Sequence, residues 1–320
     1  MIELKNVTKR YGNFTAIEDM SFKIKKGEIV GFLGQNGAGK TTTMKMITGL
    51  IDATEGEILI NDEKLSIKSR KLIGYMPENT PLYQELTVKE FLNYIAELKK
   101  VEKNNRKQEI EKLIKDLGLE DVKNKLIRNI SRGYKQRVSL AGALVGNPDI
   151  LILDEPTVGL DPKQVIEIRN LIKSLRKKHT VLLSSHILSE VNQMCQKVII
   201  IDNGKIIAID TPENLENKMN KNAIIIDIED PNNNIEKIKN QIKEIKDIKL
   251  NKNINKNIKQ YEILVQENCD IRKKLFKILP QNNITIIELK TLETSLEEAF
   301  IKLIDEKGGN ANVGDNEKGV

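Results

Sequence analysis

The sequence GQNGAGKT, at Gly34–Thr41, is the most informative stretch of this chain of 320 residues. It fits the pattern G-x-x-x-x-G-K-[ST] of a phosphate-binding loop, in which glycines let backbone N–H groups turn inward around phosphate oxygens. Lys40 is placed to neutralise phosphate charge, and the Thr41 hydroxyl is placed to reach Mg²⁺. An apolar strand, Ile29–Leu33, precedes the loop, and a helix-like stretch, Thr41–Leu50, follows it with its positive end toward the phosphates. This context predicts an α/β nucleotide-binding fold.

An acidic pair, Asp154 and Glu155, follows the apolar run Leu151–Leu153. In open α/β sheets, buried strands end at the crevice where the nucleotide binds. Asp154 is therefore placed to hold Mg²⁺ through water. Glu155, one residue further, is placed to polarise an attacking water molecule. Together with the phosphate loop, the pair predicts hydrolysis of a nucleoside triphosphate.

Strand-like and helix-like segments alternate over residues 1–210. Two apolar runs bounded by turns, DILILDEP at 149–156 and TVLLSSH at 180–186, have the composition of buried parallel strands. Between them and the phosphate loop, a helical period from Thr87 to Asn129 predicts a helical insertion. Ile199–Asp202 and Lys205–Asp210, separated by Asn203-Gly204, predict a closing hairpin.

The composition shifts near Thr211-Pro212, yet periodic structure continues. The pattern predicts strands at 223–230, 248–251, 260–266 and 284–289 and helices at 235–245 and 271–279. This βαββαβ order matches a small ferredoxin-like α+β domain. A last helix is predicted at Ser295–Asp305, which gives a domain at 211–305, and residues 306–320 have the composition of a disordered tail.

The net charge of +6 is concentrated in one segment. From Lys99 to Arg137 there are 13 basic and 6 acidic residues, whereas the rest of the chain is nearly neutral. A basic surplus suits nucleic acid, a membrane surface or an acidic partner, and a solvated helical face explains it equally well. Six Tyr, six Phe and no Trp are few for base-stacking platforms.

Neither a membrane span nor an export signal is evident. No apolar run approaches the roughly 18–20 residues that a spanning helix needs, and the first residues, MIELKNVTKRYG, lack an apolar signal region. The two cysteines, Cys195 and Cys269, have no metal or redox spacing and are expected to be buried in a reducing cytosol.

The segment ISRGYKQR, at residues 130–137, precedes the strand that carries the acidic pair. Taken with the two motifs above, it makes the chain resemble the ATP-binding subunit of an ABC transporter. The segment corresponds to that family's signature, usually written LSGGQ. Ser131 and Gly133 match, whereas Arg132 and Tyr134 replace Gly and Gln. The resemblance implies that a hydroxyl, a backbone N–H and a helix N-terminus are offered here to a γ-phosphate.

Other positions match the family in order. Tyr11 corresponds to the aromatic residue that stacks on adenine, and Asp161, in Gly159-Leu160-Asp161, to a loop that makes contacts across a dimer. His186 corresponds to the switch histidine at the γ-phosphate, whereas His179 has no matching role and is expected to be exposed. Glu78 stands where the family usually has a glutamine that senses Mg²⁺ and touches the membrane partner, so a carboxylate replaces an amide there.

The resemblance and the phosphate-loop pattern together assign three sets of site residues. The catalytic set is Lys40, Glu155 and His186. The metal-binding set is Thr41 and Asp154. The set assigned to ATP is Tyr11, Gly34, Gln35, Asn36, Gly37, Ala38, Gly39, Lys40, Thr41, Thr42, Glu78, Ser131, Gly133 and Asp161.

The fold implied is a P-loop NTPase of the ABC type at 1–210, with a helical subdomain at about 82–140. Beyond this domain, TPENL at 211–215 and TLETSLEEAFIKLI at 291–304 look like the tail of the subgroup that serves drug-export and gliding-motility-type transporters. The SRGYKQR form of the signature and the variant Glu78 point to the same subgroup. Export rather than import is therefore the implied direction.

One phosphate loop and one signature segment cannot easily serve the same ATP within one chain. The resemblance implies a sandwich of two ATP-binding subunits, as a homodimer or pseudo-dimer, with ATP and Mg²⁺ as cofactors. It also implies a separate integral membrane permease and a cytoplasmic location on the inner face of the cell membrane. Nucleic acid is not an expected partner.

Three alternatives remain open. A soluble ABC-type ATPase acting on nucleic acid or ribosomes would usually carry two cassettes or a long coiled-coil insertion, and the insertion here lacks sustained heptads. A C-terminal domain that binds a small effector is compatible with transport. A small-molecule P-loop kinase would leave Ser131–Arg137 and His186 unexplained.

Overall fold

The computed structural model describes residues 1–291 except 177, 220–222, 231–233, 256 and 267–268. Contacts between Cα atoms divide the described chain into two compact units, with the boundary between Pro212 and Glu213. This boundary lies two residues beyond the expected one, and the domain limits of 1–210 and 211–305 stay a prediction. The predicted helix at Ser295–Asp305 and the tail at 306–320 lie outside the described residues.

The first unit alternates strands and helices. Its strands are β1 (Ile2–Tyr11), β2 (Phe14–Ile24), β3 (Ile29–Leu33), β4 (Glu55–Ile60), β5 (Glu63–Lys64), β6 (Ile73–Met76), β7 (Ile150–Leu153), β8 (Thr180–Ser185), β9 (Lys197–Asp202) and β10 (Lys205–Asp210). Its helices are α1 (Lys40–Ile47), α2 (Ile67–Arg70), α3 (Val88–Leu98), α4 (Lys103–Asp116), α5 (Arg132–Leu144), α6 (Pro162–Ser174) and α7 (Leu188–Met194).

A six-stranded sheet in the order β10-β9-β3-β8-β7-β6 forms the centre of this unit. Every pairing in it is parallel except that of β10 with β9, which are joined by the predicted hairpin. Strands β3, β7 and β8 are buried along their whole length, as their continuous apolar runs require. Because β3, β6, β7 and β8 run parallel to one another, their carboxyl ends lie together at one end of the sheet.

A second, antiparallel sheet in the order β2-β1-β4-β5 packs on the first. Apolar side chains from both sheets and from α1, among them Ile17, Phe22, Phe32, Met44 and Ile152, form one core cluster. Phe22 and Phe32 join the two sheets with ring centroids 5.8 Å apart. Helix α1 is thereby held behind the phosphate loop.

Helices α3, α4 and α5 form the helical region that the sequence predicts. Helix α3 begins at a capping box, in which the Thr87 hydroxyl accepts from the Glu90 N–H and the Glu90 carboxylate accepts from the Thr87 N–H. Its apolar face buries Phe91 and Leu92. The helical region is thus built by ordinary amphipathic packing.

The second unit has the predicted βαββαβ order, which follows helix α8 (Pro212–Met219) at the boundary. Its elements are β11 (Ala223–Glu229), α9 (Ile235–Gln241), β12 (Ile245–Asn253), β13 (Ile258–Val265), α10 (Arg272–Gln281) and β14 (Thr285–Thr291). The sheet order β12-β13-β11-β14 is antiparallel throughout. Both helices pack their isoleucines and leucines on one face of this sheet, which matches the ferredoxin-like arrangement.

Three expectations need correction. The helix predicted to reach Ile245 ends at Gln241, because Ile245 pairs with Val265 in the sheet instead. His179 is buried rather than exposed, with Nδ1 2.7 Å from the carbonyl oxygen of Pro148. Cys195 is buried as expected, whereas Cys269 is only half-buried at the edge of the C-terminal core.

Candidate active site

The phosphate loop connects the end of β3 to the start of α1. Gly39, the residue before α1, has φ of 104°, which strongly favours glycine. Gly34 has no room for a side chain, because a Cβ there would lie 2.7 Å from the carbonyl oxygen of Ile201. The loop therefore packs closely against β9 at Ile201. Its backbone lies at the N-terminus of α1, where an anion is favoured.

Lys40 is buried at the first position of α1. Its ammonium group donates to the carbonyl oxygens of Gly34, at 2.7 Å, and Gln35, at 3.2 Å. It also lies 3.5 Å from Oε1 of Glu155. A cation is thereby held at the centre of the loop, beside the acidic end of β7.

Asp154 follows β7 and is almost completely buried. Its Oδ1 accepts a hydrogen bond of 2.6 Å from the hydroxyl of Ser184 on the neighbouring strand β8. Among the described residues its Oδ2 has no hydrogen-bond partner. A buried carboxylate oxygen without a partner is costly, unless a cation takes that place.

Glu155 is held in an uncommon backbone conformation, with φ of 47°. Its N–H donates to the Ser184 hydroxyl at 2.8 Å, and its Oε2 lies 3.0 Å from Nδ1 of His186. The described residues offer no hydrogen bond to its buried Oε1. Left-handed residues other than glycine are concentrated at functional sites, because surrounding contacts must compensate for the strain.

Lys40, Glu155 and His186 border a cleft of about 560 Å³, here called the phosphate-loop cleft. Its lining consists of Tyr11, Phe14, Ala16, Asn36, Gly37, Gly39, Lys40, Thr41, Thr42, Glu78, Glu155, Val158 and His186. The structure thus brings together ten of the residues that sequence reasoning assigned to the site. Gly34, Ala38 and Asp154 are buried and do not line the cleft, and Gln35 is exposed and is not part of the lining either.

Two exposed aromatic rings stand at the rim of the cleft. Tyr11 and Phe14 are register partners at the turn between β1 and β2, and their side chains are 50% and 66% exposed. The ammonium group of Lys9 lies 5.1 Å from the centre of the Tyr11 ring. Such rings suit the stacking of a nucleobase.

A carboxylate-rich edge of this kind fits Mg²⁺. The ion prefers oxygen ligands and is usually held by one or two carboxylates together with substrate phosphates. Asp154 Oδ2, which has no hydrogen-bond partner among the described residues, the Glu155 carboxylate and the Thr41 hydroxyl supply that chemistry. The described residues contain no group of three or more His, Cys, Asp and Glu side chains that could hold a metal ion.

Sequence reasoning missed three residues around the site. Phe14 lines the cleft and Ser184 contacts both acidic residues. Burial and the neighbouring Asp154 raise the pKa of Tyr75 to about 12, so that a neutral phenol stands next to the acidic pair. The turn after Tyr11 could have indicated Phe14, and the polar Ser184 in an apolar strand could have been noticed.

The remaining predicted residues form a second group outside the cleft, here called the helix-cap group: Ser131, Gly133 and Asp161. Ser131 caps α5 by accepting from the Tyr134 N–H, and Asp161 caps α6 by accepting from the Gln164 N–H. Gly133 faces the side chain of Gln164, which a Cβ at this position would approach within 2.6 Å. The two helix starts therefore lie side by side.

The helix-cap group is joined to the acidic end of β7 through the intervening loop. Gln136 on α5 donates to the carbonyl oxygen of Pro156 at 2.6 Å, and Arg132 donates to that of Val158 at 3.3 Å. Val158 itself lines the phosphate-loop cleft. One loop thus borders both groups of candidate residues.

Known proteins resemble the chain over both units and over the first unit alone. Residues 17–158 match the family described as ABC transporter. The bacitracin transport ATP-binding protein BcrA of Bacillus licheniformis is 36% identical over 309 residues, which are 95% of this chain and 97% of that protein. The lipopolysaccharide export system ATP-binding protein LptB of Haemophilus influenzae is 35% identical over 68% of this chain and 93% of its own.

Solved structures agree with these sequence matches. The dimeric ATP-binding cassette MJ0796, in a post-hydrolysis state bound to ADP and Pi, superposes with a TM-score of 0.60. It is 29% identical and covers 66% of this chain and 99% of its own. The sequence-based resemblance and the predicted fold class are thereby confirmed.

Proposed function

The chain belongs to the ATP-binding proteins of ABC transporters, and from this membership we propose that it drives export through a separate membrane permease. ATP binding and ATP hydrolysis follow from the family itself. Export is the finer part of the proposal. It is supported by the likeness to LptB, which belongs to an export system, and by the subgroup features of the signature and of Glu78.

One observation carries the proposed chemistry. The acidic pair at the end of β7 stands next to the buried Lys40 at the phosphate loop, with Glu155 Oε1 3.5 Å from the ammonium group. A cation for the phosphates and carboxylates for a metal and a water molecule are therefore within reach of one bound triphosphate. Phosphoryl transfer to water requires little more than this positioning and charge neutralisation.

The roles of the residues follow from their places. Thr41 and Asp154 would hold Mg²⁺, which when bound neutralises charge on the phosphates. Lys40 gives up its loop carbonyls to bind phosphate oxygens. Glu155 orients the attacking water and accepts its proton, while His186, 3.0 Å from Oε2, holds the carboxylate and reaches toward the γ-phosphate. Tyr11 provides a face for the adenine ring.

The helix-cap group is proposed to act on the ATP of a second subunit. Ser131, Gly133 and Asp161 do not line the phosphate-loop cleft of their own chain. The start of α5 offers a hydroxyl and free N–H groups, which suit a γ-phosphate. The dimer of the related cassette MJ0796 supports such an assembly. We therefore propose a sandwich with two ATP molecules between two subunits.

The proposed partner is an integral membrane permease, with this chain on the cytoplasmic face of the membrane. None of the described helices is long and apolar enough to span a membrane. Closure of the sandwich on ATP and its opening after hydrolysis would provide the two states that move the permease. The proposed division of labour leaves the choice of the exported substrate to the permease.

The variant Glu155→Gln tests this function. Because glutamine cannot accept the proton of the attacking water, ATP hydrolysis is expected to fall by about 100-fold or more, with ATP binding retained. ATP and Mg²⁺ should then trap a dimer, which light scattering after size-exclusion chromatography would detect.

A matched control removes an exposed carboxylate from the same unit. Glu63→Gln, on the short edge strand β5, should leave both hydrolysis and assembly unchanged. A Glu155→Gln protein that stays monomeric with ATP and Mg²⁺ would contradict the sandwich. Unchanged hydrolysis would contradict the role of Glu155.

A further inference from the structure

We propose that Ser184 is a positioning residue that sets the metal-binding carboxylate and the water-orienting carboxylate with one buried hydroxyl group. The inference rests on the proposed roles of Asp154 and Glu155. It adds a residue from a different strand, with no place in the phosphate-loop, acidic-pair or signature motifs. Ser184 does not line the cleft, so it would act through its two neighbours.

The Ser184 hydroxyl is buried and bonded to both acidic residues. Ser184 is completely buried on β8, which lies beside β7 in the parallel sheet. Its Oγ donates to Oδ1 of Asp154 at 2.6 Å and accepts from the N–H of Glu155 at 2.8 Å. The two residues that follow β7 are therefore both tied to the same atom of the next strand.

The direction of the two bonds follows from their chemistry. A backbone N–H can only donate, so the hydroxyl oxygen must accept from Glu155. The single hydroxyl proton is then free to be donated to Asp154. A carboxylate oxygen held in this way at 2.6 Å has the short distance typical of a charge-assisted bond.

The first bond determines which oxygen of Asp154 is left for a cation. Oδ1 is occupied by the hydroxyl, whereas Oδ2 has no hydrogen-bond partner among the described residues. Fixing the first oxygen also fixes the rotation of the carboxylate. Partners of this kind behind a metal ligand typically change metal affinity by about 10- to 100-fold when they are removed.

The second bond holds the strained backbone of Glu155. This residue has φ of 47°, a conformation that needs support from its surroundings. Its tethered N–H provides part of that support, and its side chain then reaches both Lys40 and His186. Loss of the tether should displace the carboxylate from its place beside Lys40.

The variant Ser184→Ala separates this role from plain packing, since it removes the hydroxyl with little change in volume. We expect the Mg²⁺ concentration for half-maximal ATP binding to rise by about 10- to 100-fold, while ATP affinity without metal stays at the wild-type value. Calorimetric titration of ATP at a series of Mg²⁺ concentrations measures both quantities without turnover. Binding of Mn²⁺, followed by electron paramagnetic resonance, gives a second readout.

The neighbouring Ser185→Ala is the matched control. Ser185 is also buried on β8, but its hydroxyl bonds to the backbone of Ile187 instead of the acidic pair. This variant should keep the wild-type Mg²⁺ dependence. If Ser184→Ala does not fold, Ser184→Cys keeps the shape with a weak donor and should raise the Mg²⁺ requirement in the same direction. Wild-type Mg²⁺ dependence in a folded Ser184 variant would overturn the inference.

Asp154→Asn distinguishes a failure of the Ser184 role from a failure of the proposed metal site. If this variant loses its Mg²⁺ dependence and a folded Ser184→Ala protein does not, the role of Ser184 is wrong and the proposed metal site stands. If Asp154→Asn binds Mg²⁺ and ATP as the wild type does, the metal role of Asp154 is itself wrong, and the inference about Ser184 falls with it.

Discussion

Lys40 is the single cation among the described residues that line the phosphate-loop cleft. It is buried, and its ammonium group is satisfied by two loop carbonyls and by the nearby carboxylate of Glu155. A buried charge without partners would be strongly unfavourable, so the loop and β7 stabilise the cation before any phosphate arrives. Bound phosphates then meet a cation that is already in place, which lowers the cost of reorganisation.

The variant Lys40→Ala should therefore weaken ATP binding. The hydrogen bonds and the charge at the phosphates are lost together, and charge-assisted bonds contribute roughly 1.5–3 kcal/mol each, which corresponds to an affinity loss of about tenfold or more. Titration with a fluorescent ATP analogue measures the loss. Lys45→Ala removes an exposed lysine from the same helix and should leave the affinity unchanged. Equal losses in both variants would show that the charge of α1, rather than the place of Lys40, matters.

Motif spacing predicted the positions of Lys40 and Asp154, because a loop or a strand end places them directly, whereas His186 was predicted from its match to the family. Contacts across strands were not predictable in this way. Ser184 meets Asp154 only because β7 and β8 pair in one particular register, in which Leu153 lies beside Leu183. A shift of that register by one residue would turn the hydroxyl to the other face of the sheet.

At the scale of elements, apolar runs and turn residues predicted most of the strands. The run Ile29–Leu33 and the hairpin around Asn203-Gly204 lie where the sequence placed them. The C-terminal unit was harder, because its isoleucines suit helices and strands alike. There the end of α9 was decided by the pairing of Ile245 with Val265, a contact between residues distant in sequence.

The packing of α5 on β6 gives a test of such contacts between elements. A Cβ at Gly74 in β6 would lie 2.2 Å from the carbonyl oxygen of Ala143 and 2.9 Å from the side chains of Leu151 and Pro148. Gly74→Ala should thus push α5 away from the sheet and lower the free energy of unfolding by about 1–3 kcal/mol. Urea unfolding followed by circular dichroism measures the change.

The same substitution on the helix itself is the control. Gly142 lies inside α5, and a Cβ there would meet only the ring of Phe91 at 3.4 Å, an ordinary contact. Since alanine favours a helix over glycine by roughly 0.5–1 kcal/mol, Gly142→Ala should keep or raise stability. Similar losses in both variants would mean that the close approach of α5 and β6 is unimportant.

On the scale of the whole molecule, the proposed site is divided between two places. The phosphate-loop cleft is proposed to bind ATP and to activate the attacking water, whereas the helix-cap group of Ser131, Gly133 and Asp161 lies outside it. Two chains related by a twofold axis can bring the cleft of each to the helix-cap group of the other. The resemblance to the family and the single copy of each motif predicted this arrangement, and the position of the helix-cap group outside the cleft supports it.

Mixed dimers test the arrangement directly. Lys40→Ala disables a cleft, and Ser131→Arg blocks a helix-cap group, so that each homodimer should be inactive. In a mixed dimer purified through two different tags, the intact cleft of one chain meets the intact Ser131 of the other. Such a dimer should hydrolyse ATP at roughly half the wild-type rate, because one of its two sites is complete. The control places both substitutions in one chain and pairs it with the wild type, which leaves neither composite site complete and should abolish hydrolysis. Activity in the control, without activity in the first mixed dimer, would mean that the cleft and Ser131 of the same chain work together and that the sandwich is wrong.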